Sequence, residues 1–138
     1  MGDQKMTEDK AVLLLVNYLE NRGWKIDGYC LGQTKGCDIT ANKNFENIKI
    51  EVKGSRAGDL SPTRKRKYFD RGQIKTHFGR AIVKILEDKY KNPACRVAIA
   101  HPFDNDIISA IGHLIPFLKK LEIEHFWIYE DGKIEHIC

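Results

Sequence analysis

Residues 47–54 read NIKIEVKG, an alternation that predicts a β-strand. Successive side chains of a strand point to opposite faces, so Ile48, Ile50 and Val52 share one face while Lys49, Glu51 and Lys53 share the other. A charged face of this kind is ordinarily a solvated one, as on the wet side of an antiparallel sheet. Whether Glu51 and Lys53 mean more depends on what surrounds them. Upstream, WKIDGYCLG at 24–32 and GCDITAN at 36–42 are short segments bounded by Gly and Asn. They read as two further strands, joined to 47–54 as a meander, with turn chemistry supplied by NKNFEN.

Before the meander, TEDKAVLLLVNYLEN at 7–21 predicts a helix with Thr7 as N-cap, acids in the first turn and Gly23 as the stop. After it, GSRAGDLSPTRKRKYF at 54–69 has little apolar periodicity and reads as a long loop. Ile74, Phe78, Ala81, Ile82, Ile85 and Leu86 then recur at helical spacing between Asp70 and Lys91. CRVAIAHP at 95–102 predicts a buried strand. DNDIISAIGHLIPFLKKL at 104–121 predicts a third helix, capped by Asp104 or Asn105, that tolerates Pro116 or kinks there. HFWIYEDGKIEHI at 125–137 predicts a hairpin with a type I′ turn at Asp131-Gly132, and its HFWIYE strand, if left as an exposed edge, offers pairing to a second subunit. The order αβββαβαβ with a last short strand predicts one α/β domain over 1–138, with a mixed sheet that is a meander on one side and parallel crossovers on the other.

The 138 residues are 42% hydrophobic and 30% charged, and no apolar run approaches the ~18 residues that span a membrane. The N-terminus lacks the basic-then-apolar layout of a secretory signal, so a cytoplasmic location is expected. Cys30, Cys37, Cys95 and Cys138 form no CxxC pair and no zinc-knuckle spacing with the five histidines, and read as reduced thiols. Net charge is only +4, but Arg64, Lys65, Arg66, Lys67, Arg71 and Lys75 crowd into a dozen positions, interleaved with Tyr68 and Phe69. Such a run suits phosphate contacts, though a solvated loop has the same composition.

A hairpin through NKNFEN sets Asp38 and Glu51 on neighbouring strands, where two carboxylates repel unless something positive lies between them. A hard divalent cation with carboxylate and water ligands answers that need, and Lys53 on the face of Glu51 can orient water and hold charge on an attacked phosphate. GCDIT followed by IEVKG, with Asp38, Glu51 and Lys53 on strands, resembles the PD-(D/E)XK nuclease superfamily. The order αβββαβ across 7–100 resembles that family's restriction-endonuclease-like core, to which this chain adds a C-terminal helix and hairpin.

The resemblance implies Mg²⁺ or Mn²⁺ held by Asp38, Glu51 and the backbone carbonyl of Val52, with Lys53 assisting phosphodiester hydrolysis. Glu8 is the candidate for the acid that many members place on the first helix, although it falls about a turn early, and Glu20 is too near the helix end. Cys37 stands where many members have proline. Gln73 is the candidate for a catalytic residue on the second helix, with Lys75 and His77 beside it, and the helix N-terminus favours a phosphate.

The expected function is therefore a metal-dependent nuclease acting on nucleic acid, with DNA preferred, in a repair, restriction or defence setting, with Arg64–Lys67, Arg71 and Lys75 on the backbone. The alternative is a non-catalytic module on the same fold that binds nucleic acid or protein. A homodimer and a targeting partner protein are compatible with either. His101, His113, Trp24 and Trp127 read as turn, surface or core residues.

Overall fold

Burial on both sides is what turns the alternation of 47–54 into a central strand. The computed structural model describes residues 5–32, 38–55 and 69–138. In it β3 (Glu46–Val52) lies inside a six-stranded sheet whose spatial order follows the chain: β1 (Lys25–Tyr29), β2 (Ile39–Lys43), β3, β4 (Arg96–Pro102), β5 (Ile123–Ile128) and β6 (Ile134–Ile137). β1, β2 and β3 are antiparallel neighbours, β3, β4 and β5 are parallel, and β6 returns antiparallel. This is a mixed sheet flanked by helices on a restriction-endonuclease-like plan, as the element order predicts.

The two faces have separate cores. Ile48, Ile50 and Val52 join Ile39, Ala41, Ala98, Ala100, Phe126 and Ile128 beneath α1 (Glu8–Asn21), which contributes Ala11, Val12, Leu15 and Leu19. The other face, with Val97, Ile99 and Trp127, is covered by α2 (Arg71–Lys91) through Ile74, Phe78, Ala81 and Ile85, and by α3 (Asn105–Ile111). The charged face of β3 is therefore roofed by a helix and not open to bulk water. Thr7 caps α1 by accepting from Lys10 N, and Gly23 follows its end at φ 89°.

Three local expectations are corrected. The third helix is broken: α3 ends at Ile111, a 3₁₀ turn covers Gly112–Leu114, and α4 (Ile115–Leu118) restarts with Pro116 in its first turn. Pro116 has no N–H for a carbonyl four residues back, and its ring crowds that carbonyl, so the helix restarts and does not merely bend. Type I′ geometry belongs to the β2–β3 hairpin, where Asn44 and Phe45 have φ 52° and 68°. The Asp131-Gly132 turn has a positive φ only at Gly132, with Gly132 N donating to Tyr129 O, so it is not type I′. Finally, HFWIYE is no free edge: β5 pairs on both sides, and β1 and β6 are the outer strands. Among the described residues no helix is long and apolar enough to cross a membrane.

Candidate active site

Three chain segments converge at the carboxyl end of β3. β2 pairs with β3 only as far as Ile39 opposite Ile50, and the next N–H along, that of Val52, donates to Asp38 Oδ2 at 2.7 Å. That bond fixes Asp38, just ahead of β2, on the same face as Glu51. Both are buried, at 7% and 6% exposure. Glu51 accepts from Lys84 Nζ at 2.8 Å and lies 3.3 Å from Lys53 Nζ.

Glu8 arrives from the far end of the chain. Ser55 N donates to Met6 O at 2.7 Å, and Met6 N donates to Ser55 Oγ at 2.7 Å. This clamp presses the start of α1 against the end of β3, so that a Cβ on Gly54 would lie 2.4 Å from Glu8 N. Glu8, Asp38, Glu51 and Lys53 thereby come within electrostatic reach of one another. Although a turn early by sequence spacing, Glu8 joins the other two acids.

The charge of this cluster is incompletely met. Burial first, and then Asp38, push the Glu8 carboxyl up to about 7. Burial first, and then Glu51, push Asp38 up to about 6 against the opposing Val52 N–H. Between the ordinary carboxylate range and pH 7 the folded chain thus holds protons that the unfolded chain has released, and these two groups destabilise it increasingly as pH rises. Burial, then Lys53, lower His101 to about 3, which acts with the opposite slope at acid pH. The clean comparison is therefore variant against wild type: in EDTA, the gain in melting temperature of Glu8→Gln should be near zero at pH 4.5 and reach its maximum above pH 7. A gain independent of pH would contradict this electrostatic account.

Other candidates are placed differently. Gln73 forms a capping box with Asp70, its Oε1 accepting from Asp70 N at 2.9 Å, so its carbonyl oxygen is committed to starting α2. Arg71 ties α2 to α3 through Ser109 Oγ and O. Lys75 is exposed on α2. Arg64, Lys65, Arg66 and Lys67, like Cys37, lie outside the described residues. His77, half-buried against the edge of Phe69, is lowered by burial and then by Lys53. His113 is exposed, Trp127 is core, and Trp24 is partly buried.

Two residues escaped the sequence reading. Lys84 sits on α2 over Glu51, a placement that depends on how α2 is rotated over the sheet. His125, paired with His101 (Nδ1 to Nε2, 2.9 Å), is buried, with its own Nδ1 unpartnered among the described residues.

Two clusters invite a metal, and their electrostatics separate them. Among the described residues, Glu124, His136 and Cys138 bring ligand atoms within 4.8 Å of one another, a closure that Glu8, Asp38 and Glu51 do not reach. Yet Arg96 binds Glu124 twice at 2.8 Å and His136 Nε2 adds 2.7 Å; despite burial these partners hold Glu124 down at about 2. Its charge is already met. The hard oxygen donors Glu8, Asp38 and Glu51, two of them disfavoured as anions, fit Mg²⁺ or Mn²⁺ better.

No family model and no curated protein matches the chain. Solved structures do, among them these two. An XisH family protein from Nostoc punctiforme PCC 73102 has 16% identity and TM-score 0.55, and an fdxN element excision controlling factor protein from Anabaena variabilis has 14% identity and TM-score 0.56. Each alignment covers 93% of this chain and 98% of the other. The likeness is one of fold.

Proposed function

We propose that this chain is a metal-dependent nuclease of the PD-(D/E)XK type that hydrolyses phosphodiester bonds, with DNA as its substrate. The observation that carries this reading is the convergence of Glu8 from the start of α1, Asp38 from just ahead of β2 and Glu51 from β3 onto one partly uncompensated anionic site beside Lys53. One structural neighbour is named for control of fdxN element excision, and excision is a nucleic-acid transaction, which supports DNA as the substrate class.

Asp38, Glu51 and Glu8 would hold Mg²⁺ or Mn²⁺, with the Val52 carbonyl as a further oxygen donor. Bound there, the ion would supply Lewis acidity, which polarises the phosphodiester and eases deprotonation of the attacking water. Lys53, held at the site by Glu51, donates to a non-bridging phosphate oxygen and stabilises the charge that develops as water attacks. Asp38 is itself oriented by the Val52 N–H, which supports a carboxylate held in place ahead of substrate. The basic run at 64–75 would hold the backbone on either side.

Lys53→Met should lower nicking of supercoiled plasmid in Mg²⁺ or Mn²⁺ by roughly 10²–10³-fold, measured well below the melting transition because the variant also loses a cation that partly meets the acids. Nicking that persists in EDTA, or at wild-type rate in this variant, would contradict the assignment. A second reading has an observation of its own: Lys84 and Lys53 both pair with Glu51, as in a site that holds its charge without a metal. That reading, a binding module on the same fold, predicts DNA retention insensitive to EDTA and no nicking.

A further inference from the structure

The opposite end of the sheet carries a second concavity that the proposed nuclease site does not use. A cavity of about 380 Å³ opens between α1 and the β2–β3 hairpin, with Tyr18, Trp24, Phe126 and the His136 stacked on Phe126 as its rings and Arg22, Lys43 and Arg96 as its cations. Glu46, at the start of β3, also lines it, whereas the carboxylate cluster sits at the other end of that strand. The length of β3, roughly 20 Å at ~3.3 Å per residue, separates the two. The volume is in the range of small-ligand pockets, ~300–1,000 Å³.

Ring faces and cations are interleaved here. Arg22 lies 4.9 Å from the centre of the Tyr18 ring, and Arg96 and Lys43 lie 5.3 and 6.0 Å from that of Trp24. Arg96 is neutralised by Glu124 and Glu46. Lys43 is different: its Nζ donates to the Arg22 carbonyl at 2.6 Å, a bond that leaves its charge unbalanced. Among the described residues, neither Arg22 nor Lys43 is paired with a carboxylate. At the rim, next to Asn44 of the cavity lining, Phe45 is fully exposed although its backbone holds φ 68°, which bulky side chains rarely adopt. No burial of its ring offsets that strain.

We propose that this cavity is a second binding site, for a nucleobase with its attached phosphate, in which Trp24 and Tyr18 offer ring faces and Arg22 and Lys43 take the phosphate. Base-on-ring stacking beside cations is how single strands are gripped without sequence preference. A free nucleotide and a segment of single-stranded DNA present the same chemistry, and the test separates them.

Titration calorimetry of the wild-type chain in EDTA, with 5′-dTMP, hexameric oligo(dT) and inorganic phosphate as probes, requires no cleavage and no metal, so its outcome is independent of the nuclease assignment. The Arg22→Ser/Lys43→Ser double variant alters two cations outside both cores and should leave the melting temperature within a few degrees. Binding of hexameric oligo(dT), weakened at least tenfold in this variant and in Trp24→Leu, supports the proposal. Equal binding of 5′-dTMP would then assign the site to a nucleotide, and weaker binding to a strand segment. No binding of either nucleotide probe, binding unaffected by the double variant, or phosphate bound as tightly as 5′-dTMP would overturn it.

Discussion

Asp38→Asn should abolish metal-dependent nicking and at the same time raise the melting temperature at pH 8. The amide keeps an oxygen that can accept the Val52 N–H, so the local geometry survives. What is lost is one of the anionic donors, and several kcal/mol of charge stabilisation correspond to a loss of roughly 10³-fold or more in rate. What is gained is relief of repulsion: Asp38 no longer disfavours ionisation of Glu8 or meets Glu51 as a like charge. About 1 kcal/mol of added stability, or roughly 4 °C, is expected at pH 8, with less below pH 5 where Asp38 is protonated in the wild type. Circular dichroism melts in EDTA alongside plasmid nicking in Mg²⁺ check both halves. A stable variant with wild-type nicking would remove Asp38 from the mechanism, and a variant that lost activity by unfolding would remove the electrostatic argument.

Gly54→Ala carries the second large effect, from a single methyl group. A Cβ there would stand 2.4 Å from Glu8 N, 2.9 Å from Thr7 C and 3.0 Å from Met6 O, all backbone atoms that cannot rotate aside. Either α1 backs away from the end of β3, opening the Met6–Ser55 clamp, or β3 shifts. The cost should be about 3 kcal/mol or more, lowering the melting temperature by roughly 10 °C. Since the same clamp delivers Glu8 to the other acids, nicking measured well below the melting transition should fall as well. A variant as stable and as active as wild type would mean that α1 and β3 do not approach this closely.

The fold was legible where periodicity and capping agree. NIKIEVKG and the meander before it follow from alternation, and α2 follows from the helical spacing of Ile74, Phe78, Ala81 and Ile85. The acid pair was legible because a hairpin register is local: Ile39 opposite Ile50 puts Asp38 beside Glu51. Glu8 was less so, since its placement depends on hydrogen bonds between Met6 and Ser55, 49 positions apart. Lys84 looks like any solvent-facing helix lysine until the rotation of α2 over β3 is known. Gln73 shows the opposite failure: its position near the motif suggests catalysis, yet the side chain satisfies a backbone N–H at the helix start. In the β2–β3 turn, the two-residue connection between the paired Lys43 and Glu46 drew Asn44-Phe45 into the left-handed geometry that Asp131-Gly132 had promised.

If the charged face of residues 47–54 is a metal-dependent hydrolytic site, it shows itself when wild type and Glu51→Gln are melted at pH 8 with and without Mg²⁺ or Mn²⁺ and then assayed for plasmid nicking under the same conditions. A ligand that binds only the folded chain raises its melting temperature in proportion to its occupancy. Wild type should show a metal-induced rise and plasmid nicking, both lost in Glu51→Gln. A wild-type chain whose melting temperature no divalent cation moves, and which leaves plasmid intact, would contradict that assignment.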